Sequence, residues 1–83
     1  MGSSRPQPRK LPAKLRSIRR GLDLSQEEMA KLVRHKRSPV YPGHISEFEN
    51  GRREPSLLVL LRYARVSGLN VESLIDDDIP LRS

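Results

Sequence analysis

The chain has no cysteine and no tryptophan. Without thiols it forms no disulfide, builds no thiolate metal site and performs no thiol chemistry, a composition that suits a reducing compartment. Aromatic residues make up 4% of the 83, and histidine occurs twice, a poor stock for lining a substrate pocket. Long apolar runs are missing too: the longest covers residues 57–61, against the ~20 residues of a membrane-spanning helix. No apolar stretch follows the first basic residues, so no secretion signal is expected. Triad spacing, a phosphate-cradling glycine loop and a His-Glu-x-x-His pair are all absent. Neither an enzyme nor a metal or cofactor is expected. A chain of this length is one small domain, and these exclusions leave a binding module.

Charge is present, and unevenly placed. Residues 1–37 carry 11 Lys and Arg against 3 Asp and Glu, a net of +8; residues 38–83 carry 5 against 7, a net of −2. A polyanion is the natural partner of the first half, although a basic surface also serves solubility alone. Residues 1–10 hold two prolines, two serines and three basic residues, with no aliphatic side chain beyond Met1. That is the composition of a disordered basic arm.

From Leu11 the spacing turns helical. Leu11, Leu15, Ile18 and Leu22 form one apolar stripe, and Pro12 is tolerated in a first turn. Ser25 with Glu28 three residues on is a capping box that opens a second helix. Met29, Leu32 and Val33 make its apolar face, and Ala30 is small enough for close helix approach. Residues 34–41 show no stripe, and Pro39 requires the second helix to stop well before it. Pro42 suits the first position of a third helix over residues 42–50, with Ile45 and Phe48 inward and Gly51 as the stop. Pro55-Ser56 opens a fourth, in which Leu57, Leu60, Leu61 and Ala64 recur at i, i+3, i+4 and i+7. Leu58 and Val59 widen that stripe, so this helix is expected to be the most buried, and Gly68 ends it. Asn70 caps a short fifth helix with Val71, Leu74 and Ile75, and Asp76-Asp77-Asp78 begins a solvated acidic tail over residues 76–83. The fold class is all-α: five short helices over residues 11–75.

Three segments carry a family likeness: Leu24-Ser25-Gln26-Glu27-Glu28-Met29-Ala30, Ile45-Ser46-Glu47-Phe48-Glu49-Asn50-Gly51, and Glu54-Pro55-Ser56-Leu57. Together with Arg16 and Arg19 in the first helix, and Gly68 before Leu69-Asn70-Val71, they make the chain resemble the Cro/repressor-type (XRE) helix-turn-helix family. The resemblance implies a compact five-helix, lambda-repressor-like DNA-binding domain with its third helix in the major groove. It implies a sequence-specific transcriptional regulator, a repressor, acting as a homodimer on a two-fold-related operator of double-stranded DNA. The implied setting is a prokaryotic cytoplasm. Two departures stand out. From Val33 to Ile45 the chain is about five residues longer than the family's spacing, in which the turn is about four residues, so an extended turn is expected. Pro42 and Gly43 stand where many members carry polar side chains, and neither can donate to a base edge.

The same resemblance supplies expected roles. Gln26, at the start of the second helix, is expected on a phosphate, a site helix N-termini favour in any case. His44, Ser46 and Glu47 are the expected base readers; Arg34, Lys36, Arg37, Asn50, Arg52 and Arg53 are the expected phosphate holders. Arg19 and Glu49 match a buried ion pair joining helices one and three, and a carboxylate near a helix C-terminus wants a cation. Phe48 and Tyr63 are read as packing. His44 has no cysteine and no second histidine at i+4, so it is not read as a metal ligand. Leu69, Val71, Leu74 and Ile75 are the expected dimer contacts, leaving the recognition face free. The rival reading is an antitoxin-like or adaptor subunit that binds a second protein through Ile79-Pro80-Leu81.

Overall fold

The computed structural model describes residues 8–81. Residues 1–7 of the expected basic arm, and residues 82–83, lie outside the described residues. Five helices follow one another: α1 (Leu11–Gly21), α2 (Gln26–Val33), α3 (Pro42–Glu49), α4 (Leu57–Ser67) and α5 (Val71–Ile75). Among the described residues there is no strand; one isolated antiparallel bridge joins His35 and Ser38. No helix among them is long and apolar enough to cross a membrane. The all-α, five-helix expectation holds.

The helix ends follow from local chemistry. At α2 the Ser25 hydroxyl accepts from the Glu28 N–H at 3.0 Å, and the Glu28 carboxylate accepts from the Ser25 N–H at 2.8 Å, a complete capping box. At the end of α3, Gly51 takes φ +73°. There its N–H donates to the Phe48 carbonyl, and the Arg52 N–H donates to the Glu47 carbonyl at 2.9 Å. This paired closure needs a left-handed residue, which glycine supplies without a Cβ clash. The end of α1 closes in the same pattern, but through Asp23 at φ +58°, a residue that tolerates this geometry better than most.

One core gathers the inward faces. Leu11, Leu15, Ile18, Met29, Val33, Ile45, Phe48, Val59, Leu60, Tyr63 and Leu74 are all buried. Val40 is buried as well and anchors the connection between α2 and α3. Several expected core positions are corrected. Leu22 lies past the end of α1 and is exposed; Leu32 turns outward because the buried face of α2 runs through Met29, Ala30 and Val33. Leu57 is 76% exposed, since α4 is rotated to bury Val59, Leu60, Tyr63 and Ala64. Leu74 is fully buried in the monomer core, so it is not available as a dimer contact. Asn70 sits at the N-cap of α5, but its side chain makes no capping bond.

The segment after α5 is not a solvated tail. Lys14 is buried on α1, and its Nζ donates to the carbonyls of Ser73, Asp76 and Ile79 at 2.7–2.8 Å. All three ammonium protons are thereby used, which is what lets a lysine leave water. In return, the Asp77 carboxylate accepts from the N–H groups of Arg9 and Lys10, both at 3.0 Å. These are donors at the start of α1 that the helix cannot satisfy itself. Leu81 packs against the core. The expected docking strip Ile79-Pro80-Leu81 is therefore engaged with its own chain.

The two N–H bonds hold the Asp77 carboxyl below the usual aspartate range, with smaller help from the charges of Lys14 and Lys10. A depressed folded-state pKa contributes stability above the unfolded-state value, and that contribution is lost as pH falls through the folded-state value. Asp77→Asn should therefore be less stable than the parent near neutrality, and the gap should close as acid is added. Melting curves across an acid series measure this; a gap that is constant with pH would contradict the capping role.

Candidate nucleic-acid interface

Glu49 is the organising residue of the α1–α2–α3 unit. It ends α3, a helix with no basic residue in its own last turn, so its charge meets the unfavourable end of the helix dipole uncompensated from within. The cation comes from α1. Arg19 Nε donates to Glu49 Oε2 at 2.7 Å and Arg19 Nη2 to Oε1 at 3.0 Å, a two-pronged geometry that fixes orientation as well as distance. Arg19 Nη1 also donates to the Leu24 carbonyl at 2.9 Å, tying in the loop ahead of α2. The carboxylate is 3% exposed and the guanidinium 15%. Pairing with Glu49 raises the already high pKa of Arg19. Arg16 adds a bond from Nη2 to the Glu49 carbonyl.

Gln26 is drawn into the same cluster. Its Nε2 lies 3.4 Å from Glu49 Oε1, a long bond that leaves the amide at the N-terminus of α2 but aims one donor inward. The front of α3 is likewise engaged. His44 Nδ1 accepts from the Tyr41 N–H at 3.2 Å, which caps the helix where Pro42 and Gly43 offer no side chain to do so. Because Nδ1 accepts, the neutral ring carries its proton on Nε2 and presents a donor there. The ring leans on Tyr41, centroids 5.4 Å apart, and on Phe48 at 6.4 Å.

Further along α3, Asn50 Nδ2 lies 3.4 Å from Ser46 Oγ. Arg53 Nε donates to Glu47 Oε1 at 2.7 Å, with both side chains about half exposed. That bond holds the Glu47 carboxyl below its ordinary range. An expected base reader and an expected phosphate holder thus occupy each other. Arg52 is exposed beyond the end of α3.

The connection between α2 and α3 covers residues 34–41 and is a small hairpin. The His35 N–H donates to the Ser38 carbonyl at 3.1 Å and the Ser38 N–H to the His35 carbonyl at 2.9 Å, with Lys36 and Arg37 at the tip. Neither tip residue has positive φ, so the turn needs no glycine. Ser38 Oγ lies 2.7 Å from Ser56 Oγ, which pins the hairpin beside the start of α4. Arg34, Lys36 and Arg37 are exposed. The extended turn is thus ordered, and basic side chains stand before and after α3 in the chain. Sequence reasoning missed Lys14, Asp77 and Arg62, which lies on α4 against the hairpin. Lys14 was detectable: with Leu11, Leu15 and Ile18 it completes the i, i+3, i+4, i+7 face of α1.

The comparisons agree with the fold. A helix-turn-helix family model matches residues 15–74, and the chain belongs to that family. Among solved structures it is similar to the P22 c2 repressor protein in complex with a synthetic operator, at 24% identity and a TM-score of 0.70. The match covers 82% of this chain and 96% of that one. No curated protein matches the chain.

Removing Arg19 takes both close charged bonds from the buried Glu49 carboxylate and leaves it only Gln26 at 3.4 Å and Arg16 at 3.9 Å. Arg19→Ala should lower stability by ~3–5 kcal/mol, about 4–8 °C of melting temperature per kcal/mol for a domain this small. Glu49→Ala should cost less, because Arg19 is closer to water and keeps the Leu24 carbonyl. Thermal melts that move for neither variant would show that the pair contributes nothing.

Proposed function

We propose that the protein is a DNA-binding transcription regulator that presents α3 to the major groove of double-stranded DNA. The observation that carries this reading is the α1–α2–α3 unit: Glu49 is locked from behind by Arg19, while basic residues lie exposed before and after α3. A helix held in this way can be presented as a rigid body, and exposed arginines and lysines can hold phosphates while it is read. Membership of the helix-turn-helix family supports a binding module over an enzyme, and the similar P22 c2 structure is a repressor with operator DNA.

In this reading residues 11–81 are the DNA-binding domain, with the last segment clasped to α1. His44 Nε2, Ser46 and Glu47 offer polar groups to base edges, and Glu47 is freed for this when Arg53 turns to a phosphate. Arg34, Lys36, Arg37, Asn50 and Arg52 hold the backbone, and Gln26 does so by exchanging its long bond to Glu49. The protein acts as a repressor and binds as a homodimer on a two-fold-related site. Ile75, 43% exposed, is the outward residue of the dimer patch, with Leu69 and Val71 at its margin. The alternative of an adaptor for a second protein has no observation in its favour, because the strip it would use is docked internally.

Selection of bound duplexes from a random pool tests the reading. The expected product is a two-fold consensus with half-sites about one turn, ~34 Å, apart. A pool with no enriched sequence would overturn specific regulation. Replacing Arg34, Lys36 and Arg37 together by alanine should reduce the slope of log affinity against log salt by ~0.9 for each phosphate they hold, and leave the consensus unchanged.

A further inference from the structure

A groove of ~660 Å³ runs between the hairpin and α4, lined by Arg34, His35, Lys36, Pro39 and Arg62. No carboxylate lines it, and three of its five residues are permanently cationic. Arg62 reaches this place because α4 packs against α2 and because the Ser38–Ser56 contact at 2.7 Å holds the hairpin down. Like charges gathered in this way repel one another unless an anion sits among them.

A second observation points the same way. Arg62 Nε is buried and has no hydrogen-bond partner among the described residues. A buried donor left unmet is costly and calls for an acceptor, and guanidinium geometry matches phosphate oxygens. His35 lines the groove too: its Nδ1 accepts from the Arg37 N–H at 3.1 Å, so the neutral ring keeps a donor at Nε2. Arg34 and Pro39 are shared with a neighbouring cleft that reaches Tyr41 and Pro42 at the front of α3 and also holds Glu27 and Lys31.

We propose that this groove is a phosphate-binding site in which Arg62, Arg34 and Lys36 hold one DNA backbone phosphate beside the bases that α3 faces. The source of the phosphate rests on the DNA-binding reading above; the anion site itself does not. The extended turn then has a use that a four-residue turn could not serve, since it carries cationic side chains back onto α4.

The test uses the full chain, with Arg62→Met, which keeps the apolar stem, and Arg62→Lys, which keeps the charge. Affinity for a mixed-sequence duplex is measured across salt, and inorganic phosphate is titrated against the Arg62 Nε–H and hairpin amide NMR signals of the unaltered protein. The expected result is that Arg62→Met lowers the salt slope by up to ~0.9, which is up to a ~3.5-fold smaller affinity loss over a fourfold rise in salt. Arg62→Lys should restore most of that slope. The Arg62 signal should also shift when duplex is added, a readout that survives if Arg62→Met fails to fold. If phosphate shifts the signals but duplex does not, and the slopes are equal, the anion site stands and its assignment to DNA is overturned. If neither probe shifts them, the proposal is overturned. A parent protein that binds no duplex defeats the DNA-binding reading instead, and the phosphate titration alone then decides the groove.

Discussion

A single carboxylate, Glu49, is the constraint on which the arrangement of the first three helices depends. It lies almost wholly out of water, where an unpaired charge would not be tolerated. Arg19 must meet it from α1, and the two-pronged contact allows little freedom of angle. Because Arg19 also binds the Leu24 carbonyl and Gln26 leans on the same carboxylate, α2 is drawn into register with α3. An apolar contact of similar area would stabilise the domain comparably or better. What the ion pair adds is direction, which the proposed presentation of α3 to a DNA groove requires.

A second polar device closes the other end of α1. Lys14 is satisfied by three carbonyls contributed by α5 and the segment after it, while Asp77 from that segment caps the N-terminus of α1. Each side satisfies groups the other cannot satisfy alone. The acidic residues that resemble a solvent-facing tail in sequence are thus part of the fold. With the C-terminal segment held against α1, Ile75 is the exposed large apolar residue of α5, while Leu69, Val71 and Leu81 pack partly against the core.

Helix number, the capping box at Ser25 and Glu28, the stop at Gly51 and the inward Ile45 and Phe48 were legible because each follows from local rules: spacing, caps and left-handed glycine. The Arg19–Glu49 pair was legible only through family resemblance, since residues thirty positions apart carry no local signal of contact. What was not legible depended on rotation and docking. Tyr63 reads as packing in the sequence and is buried, but the rotation of α4 that turns Leu57 outward is decided by its neighbours. Lys14 was passed over because lysine belongs on surfaces by default, although its place on the α1 stripe marked it. The hairpin at residues 34–41 escaped because its turn uses Lys36 and Arg37 rather than glycine or asparagine. The pairing of Glu47 with Arg53 shows that a position can be singled out in the sequence while its partner in the free protein stays hidden.

If direction is what the pair supplies, exchanging both partners for apolar side chains should separate stability from recognition. The decisive measurement is duplex selection with the double variant Arg19→Met/Glu49→Met, run beside its thermal melt. The account predicts a folded protein of similar or higher melting temperature that still binds duplexes through phosphates, with its consensus weakened or lost. A double variant that selects the same consensus with the same strength would contradict the claim that this pair aims α3.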